Sequence, residues 1–332
     1  MRRLQEYVSR VRRDGLDPVA FQRVCVVALV AVCAIVVTGA AVRLTGSGLG
    51  CEDWPNCNNT RLLDVGSKHA AIEQINRLFT FVVGLAVVLA AAGALVRRPR
   101  RRDLTVPAML LVAGVPAQAL VGALVIWTKL NPAAVQLHMV LSLILVGVAV
   151  VLVVRSRRAD GATMVSAVVP STARLVKLLA VWTGAALLAG TVVTGTGPHA
   201  GDEEAKRFWG TSTDVSGTAL TWVTRVHSVI VWITVAIALR LLWSLRARAR
   251  DRAALDAPLS AWMITAIVQG AVGYWQYATG VPAGLVAIHV FGATTLSGVT
   301  VWLWLSTRRP VASVDSQIDQ ALADARAART TN

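Results

Sequence analysis

Charged residues are scarce in this chain. Asp, Glu, Lys and Arg together make up 15% of its 332 residues, whereas 55% are hydrophobic and the mean hydropathy is +0.60. That balance excludes a soluble domain and is typical of a protein that lies in a membrane. Apolar runs of about 20 residues, long enough for a helix to cross a bilayer, occur at 21–42, 71–96, 104–127, 133–154, 173–195, 218–243, 259–277 and 283–306. We therefore predict an all-α integral membrane protein with eight transmembrane helices.

Acidic residues are few compared with basic ones, 18 against 33, which gives a formal charge of +15. The basic residues do not form a nucleic-acid-binding stretch, because they cluster at the N-terminus, in every second loop and after the last apolar run. This alternation predicts that both termini are cytoplasmic in a multi-pass plasma-membrane protein, with no nucleic-acid partner. No small-residue cleavage site follows the first apolar run, so we expect a retained helix rather than a signal peptide.

A repeat with an offset of 151 residues relates the two halves of the chain. It joins polar positions that lie within otherwise apolar runs. The matched pairs are Gln118 with Gln269, Asn76 with His227, and His138 with His289. Such a repeat predicts two copies of one four-helix unit.

We therefore expect two pseudo-symmetric four-helix bundles, residues 21–154 and 173–306, joined by a polar cytoplasmic linker at 155–172. Residues 1–20 would form a cytoplasmic N-terminal segment, either an amphipathic surface helix or a solvated tail. Residues 307–332 would form a cytoplasmic tail.

The second half places His227 and His289 near the same end of two different spans. Two imidazoles that converge in a four-helix bundle commonly hold a haem, one from each face. A zinc site would need further ligands, and no Cys, Asp or Glu lies at suitable spacing in those spans. The equivalent pair in the first half is Asn76 and His138, which offers a single strong ligand. Three arginines near the outer ends of helices are candidate partners for haem propionates: Arg43, Arg77 and Arg225.

The external loop at 43–70 carries Cys51 and Cys57 on the side where a disulfide can persist. The pair is either a staple for the loop or a redox-active pair beside a cofactor. Glu73 follows at the mouth of the second span, where a carboxylate is costly unless it is paired or used. It either forms an ion pair with Arg77 or points into a pocket as a functional group.

The segment Ala41–Cys57, which reads AVRLTGSGLGCEDWPNC, resembles the signature of the haem A synthase family, and the likeness extends over all eight spans. The resemblance implies two pseudo-symmetric bundles. It implies that His227 and His289 ligate a haem b cofactor. It also implies that the N-terminal bundle, with His138, binds haem O and oxidises one ring methyl to the formyl group of haem A, for cytochrome oxidase assembly.

By the same resemblance, Glu73 assists catalysis, and Cys51 and Cys57 take part in electron transfer. Implied partners are haem O, delivered by a haem O synthase, membrane lipid, an unidentified electron donor and a second copy of the chain. The chain departs from many members by Asn76, where they carry His, for which His69 could compensate. It also lacks a second Cys pair after the fifth span. The alternative functions are a di-haem b-type electron-transfer protein and a transporter built from repeats.

Overall fold

The computed structural model describes residues 15–202, 205–209 and 218–312. Eight of its helices are long and apolar enough to cross a membrane, which confirms the predicted all-α membrane fold. They are α1 Pro18–Leu44, α2 Lys68–Val96, α3 Arg102–Trp127, α4 Pro132–Ser156, α5 Pro170–Thr196, α6 Thr218–Leu245, α7 Ala249–Ala278 and α8 Ala283–Leu305. Most of the predicted N-terminal segment and most of the predicted tail lie outside the described residues.

Local sequence explains where several of these helices begin. Asp17 precedes α1 and its carboxylate accepts a hydrogen bond from Ala20 N at 2.9 Å, while Pro18 occupies the first turn. Asn131 and Pro132 begin α4 in the same way, with Asn131 Oδ1 accepting from Ala133 N at 3.0 Å. A side-chain acceptor before the helix and a proline at its first position satisfy or remove donors that would otherwise lack partners.

The helices pack around two separate apolar cores. In the first half, α1 packs against α2 and α4, and α3 packs against α4. In the second half, α5 packs against α6 and α8, and α7 packs against α8. The halves meet mainly where α4 and α1 contact α8. This arrangement agrees with two bundles, one for each copy of the repeat.

Helix α7 begins at Ala249, well before the apolar run that was predicted to start at residue 259. The basic segment 246–252, which lies between the sixth and seventh predicted spans, is therefore partly helical. The cause is Asp251, a buried residue whose carboxylate accepts hydrogen bonds from Val169 N at 3.2 Å and from Thr172 Oγ1 at 2.6 Å. This contact fixes the first turn of α7 against the first turn of α5.

The linker and the start of the tail form two short strands, which the sequence did not predict. Strand β1, Thr163–Ser166, pairs antiparallel with β2, Arg308–Val311, and Thr163 lies opposite Val311. Backbone groups outside the helices need hydrogen-bond partners, and these two segments supply them to each other. The small sheet ties the linker between the bundles to the end of α8.

Candidate functional site

The imidazoles of His227 on α6 and His289 on α8 lie close enough to interact electrostatically. Nδ1 of each ring is enclosed and has no hydrogen-bond partner among the residues that the structure describes. The backbone of Ala186 lies near His227, but it forms no hydrogen bond with His227 Nδ1. Polar atoms in a protein interior normally have partners. Two neighbouring imidazoles without partners are therefore available as ligands.

A glycine on the preceding helix lies against each of these rings. A Cβ placed on Gly190 would come within 3.3 Å of His227 Cε1, and one placed on Gly273 would come equally close to His289 Cε1. Any larger residue would crowd the imidazoles. The second bundle thus leaves room around both rings by using the smallest residue at each contact.

The first bundle repeats this arrangement with one change. A Cβ on Gly122 would lie 3.5 Å from His138 Cε1, and a Cβ on Gly39 would lie 4.0 Å from Asn76 Nδ2. His138 Nδ1 and Asn76 Oδ1 are both enclosed, and neither has a hydrogen-bond partner within the described part of the chain. The polar atoms of the first site are thus one imidazole and one amide, in place of two imidazoles.

The sequence analysis did not identify these four glycines as contacts of the histidine and asparagine side chains, although the repeat relates them to one another. The offset of 151 that relates the histidines also relates Gly39 to Gly190 and Gly122 to Gly273. Gly122 lies four residues after Gln118, and Gly273 lies four residues after Gln269. Glycine is frequent in membrane helices, so the match alone did not distinguish these positions from ordinary packing contacts.

The two matched glutamines position the histidine-bearing helices. Gln118 Nε2 donates to His138 O at 3.3 Å and to Ser142 Oγ at 2.7 Å. Gln269 Nε2 donates to His289 O at 3.0 Å. Each glutamine therefore holds the backbone of a histidine from the neighbouring helix, in the same way in both halves.

The external loop is held against the start of α2 by Glu73. Its Oε2 accepts from Cys51 N at 2.8 Å, and its Oε1 pairs with Arg77 Nη2 at 2.7 Å. Arg77 also donates to the carbonyls of Asp53 and Asn56, at 3.1 and 3.2 Å. The structure contains a disulfide between Cys51 and Cys57 in this loop. Glu73 is buried and forms the ion pair that was one of its two predicted roles.

The three arginines named as propionate partners lie in different settings. Arg43 is half-buried and donates through Nη2 to Thr194 O on α5, while its Nε is enclosed and has no hydrogen-bond partner among the described residues. Arg77 uses its donors on Glu73 and the loop. Arg225 is exposed and lies over the ring of Trp222, with its guanidinium carbon 5.5 Å from the ring centroid. Of the three, only Arg43 has an enclosed donor, Nε, without a partner in the described ranges.

His69 and His199 lie outside the paired positions. His69 is exposed at the start of α2, and its Nδ1 lies 2.9 Å from Ser47 Oγ. His199 Nε2 bonds to Val281 O at 2.7 Å in a contact between two loops. Both imidazoles already have partners within the protein, unlike His138, His227 and His289.

The arrangement suits haem better than a single metal ion. Among the described residues, no three His, Cys, Asp or Glu side chains are grouped as a metal site of protein ligands would require. Single imidazoles that lie against glycines and have a free nitrogen fit a planar group that takes axial ligands from neighbouring helices. The fold and these positions thus define a class: polytopic helical membrane proteins with a repeated unit, each copy of which carries histidine within its membrane helices.

Comparison with known proteins identifies the family. Residues 22–201 match the cytochrome oxidase assembly protein family. That match covers more than half of the chain, and the chain belongs to this family. The resemblance to haem A synthases seen in the segment Ala41–Cys57 is confirmed.

Several individual relatives are named haem A synthase. The chain is 26% identical over 271 residues to a haem A synthase of Exiguobacterium sibiricum, which covers 81% of this chain and 89% of that protein. It is 38% identical over 132 residues to a haem A synthase of Geobacillus kaustophilus, where the match covers 38% of this chain and 40% of the relative. A haem A synthase of Listeria welshimeri is 34% identical over 123 residues, 36% of this chain and 40% of that protein.

Proposed function

We propose that the chain is a haem A synthase, an oxidoreductase that converts a ring methyl of haem O to the formyl group of haem A for cytochrome oxidase. The observation that carries this proposal is the pairing of repeated histidine sites with family membership. The relatives' name supplies the reaction class. The two sites differ in their side chains, and an enzyme of this kind needs both a substrate site and an electron-carrying site. The difference therefore supports a separate role for each site.

The second bundle would hold haem b through His227 and His289. Two imidazoles saturate the axial positions of an iron, which suits electron transfer. The first bundle would hold haem O through His138, with Asn76 as a weaker donor. Bound haem supplies the iron-based oxidation that an unactivated methyl group requires and that side chains alone cannot provide. The protein's own contribution is to hold and orient each haem between paired helices.

Glu73 would act where the substrate bundle meets the external loop. Its carboxylate binds the loop through Cys51 N and is balanced by Arg77, so it fixes the disulfide beside the start of α2. A buried carboxylate in this position can hold or move a proton next to the substrate. The disulfide itself would take part in electron transfer to the site. Arg43, with its unpartnered Nε, would bind a haem propionate.

The basic loops would face the cytoplasm, with both termini on that side, and the external loop would lie outside the plasma membrane. Haem O would reach the first bundle from a haem O synthase in the same membrane. The electron donor would be a separate, unidentified molecule.

The test is haem extraction from the purified full chain, co-expressed with a source of haem O, with identification of the haems by their pyridine complexes and by mass. We expect haem b together with haem A or its alcohol precursor. Haem b alone, with haem O available, would instead identify a di-haem electron carrier. A protein without haem would refute both and favour the transporter.

The role of Glu73 is tested by Glu73→Gln, which keeps an acceptor for Cys51 N but removes the negative charge. We expect the yield of haem A to fall about tenfold or more, as for loss of an acid–base group, with haem b unchanged. The matched control is Glu52→Gln, at an exposed carboxylate in the same loop. Equal haem A yields from the two variants would remove Glu73 from the chemistry.

A further inference from the structure

A cavity of about 610 Å³ lies at the end of the molecule opposite the disulfide loop. It is enclosed by the C-terminal ends of α4 and α8, the N-terminal end of α3 and strands β1 and β2. Its charged lining consists of four arginines and one aspartate: Arg101, Arg155, Arg158, Arg308 and Asp103. The cavity is therefore strongly positive.

Arg101 and Arg155 have hydrogen-bond or ion-pair partners within the protein, whereas the guanidinium groups of Arg158 and Arg308 have none among the described residues. Arg101 pairs with Asp103 at 2.9 Å and with Asp160 at 3.3 Å. Arg155 Nη1 donates to Asp103 O at 3.1 Å. The guanidinium groups of Arg158 and Arg308 form no hydrogen bond or ion pair with any residue that the structure describes.

Arg158 is only half exposed, so its charge is not simply solvated. Burial, and after it the charge of Arg155, lowers the pKa of Arg158 below its ordinary value. A guanidinium that is partly buried beside other cations is stabilised by an anion, and phosphate oxygens match its geometry. Asp103 offsets part of this charge, and the four arginines leave the cavity lining with an excess of positive charge.

A second, apolar crevice of about 190 Å³ runs between α5 and α8 and reaches the same end. Small residues form much of its wall, including Ala180 and Gly184. Trp304 lines both this crevice and the basic cavity, so the two adjoin. A tryptophan half exposed at the end of a membrane helix marks the level of the lipid headgroups.

We propose that the cavity and crevice together bind one anionic phospholipid. Its phosphate would lie in the basic cavity against Arg158 and Arg308, and an acyl chain would lie in the crevice along Gly184. Basic pockets between membrane helices are suited to anionic headgroups. A zwitterionic lipid would bring its own cation into a positive cavity. A free phosphate ion would leave the crevice without an occupant.

The binding test uses the purified, delipidated full chain with its haem, and native mass spectrometry of bound lipid. Three probes are added separately: dioleoylphosphatidylglycerol, dioleoylphosphatidylcholine and inorganic phosphate. We expect retention of the anionic lipid, little retention of the zwitterionic one, and no displacement of the anionic lipid by millimolar phosphate. Equal retention of both lipids, or displacement by phosphate, would overturn the proposal.

Two pairs of variants locate the site. Arg158→Gln should weaken binding of the anionic lipid about fivefold, as for one cation near a headgroup. The control Arg157→Gln removes the neighbouring exposed charge, outside the cavity. If both variants bind the lipid equally, the cavity is not the headgroup site.

Gly184→Leu should fill the crevice and lower lipid retention without unfolding the protein, because a Cβ at Gly184 meets no atom within 4 Å. Gly284→Leu is the control, since Gly284 on α8 is equally open but lies outside the crevice. The haem absorption spectrum verifies folding of all four variants. Unchanged retention in Gly184→Leu would place the acyl chain elsewhere and refute the crevice.

Discussion

At the level of single residues, the two halves differ most at Asn76 and His227. Both occupy the same place in the repeat and both lie near a glycine of the preceding helix. An amide oxygen is a much weaker iron ligand than an imidazole. Asn76 Oδ1 is enclosed, and no residue that the structure describes bonds to it. One difference therefore separates a position pair with two imidazoles, His227 and His289, from a pair with one imidazole and one amide.

Replacing His289 by Ala tests the second site. We expect haem b content to fall by more than about tenfold, because even loss of a partner that orients a metal ligand costs 10- to 100-fold in affinity. The measurement is the haem-to-protein ratio, with the visible spectrum of the reduced protein. His199→Ala is the control, since it removes an imidazole from a loop contact. Haem b content that is the same in both variants would contradict the ligand assignment.

Replacing Arg77 by Met tests the residue that fixes the external loop. The change leaves Glu73 buried without its cation and removes donors from Asp53 O and Asn56 O. Breaking a buried pair costs about 3 kcal/mol, so the apparent Tm in detergent should fall clearly. Arg61→Met, which breaks an exposed pair with Asp64, should cost less than about 1 kcal/mol. Similar Tm values for the two variants would show that Glu73 does not depend on Arg77.

At the level of helices, the histidine sites depend on close approach between consecutive helices of each bundle. Gly190 brings α5 against the His227 ring on α6, and Gly273 brings α7 against the His289 ring on α8. Gln269 then bonds the backbone of His289 from α7. Small residues at helix contacts permit this approach in membranes. The site is thus a property of helix pairs, and neither helix alone forms it.

Gly190→Val should displace the His227 ring and reduce haem b content, because its Cβ would already lie 3.3 Å from Cε1 before the two methyl groups are added. Gly184→Val, on the same helix, is the matched control, since its Cβ meets nothing within 4 Å. Both substitutions replace Gly by Val within the same helix, so they change its helix propensity equally. The haem-to-protein ratio of the two variants separates the effects, and equal ratios would refute the role of Gly190.

At the level of the whole molecule, the two bundles are joined where α4 meets α8. A Cβ on Gly147 would lie 3.3 Å from Val301 Cγ2, and a Cβ on Gly298 would lie 3.4 Å from Val150 Cγ2. Gln136 Nε2 also donates to Thr191 Oγ1 at 2.9 Å, which links the first bundle to α5. These contacts fix the relative placement of the two proposed haem sites.

Gly298→Leu should force α4 and α8 apart. Overpacking of this kind costs about 1–3 kcal/mol, so we expect a lower apparent Tm while each site keeps its own ligands. The measurement is thermal unfolding followed by tryptophan fluorescence, together with haem content. Gly284→Leu, at an open position of the same helix, should leave the Tm unchanged. A Tm that falls equally in both variants would exclude a specific interface effect.

The sequence by itself determined the eight spans, because the free energy of placing a helix in lipid depends mainly on the apolar length of that one segment. The repeat likewise singled out His138, His227 and His289 without any structure. The site assignments to substrate and cofactor haem remain predictions. Asn76 was also visible from sequence, since its partner in the repeat is a histidine.

Only the tertiary structure decided features that depend on contacts between distant segments. Asp251 extends α7 because Val169 and Thr172, about 80 residues earlier in the chain, bond to it from the start of α5. The strands at 163–166 and 308–311 form because the two segments are brought together at the end of α8. The glycines beside the imidazoles likewise could be recognised only from their contacts with the rings. A repeat specifies equivalent positions, whereas packing decides which atoms those positions contact.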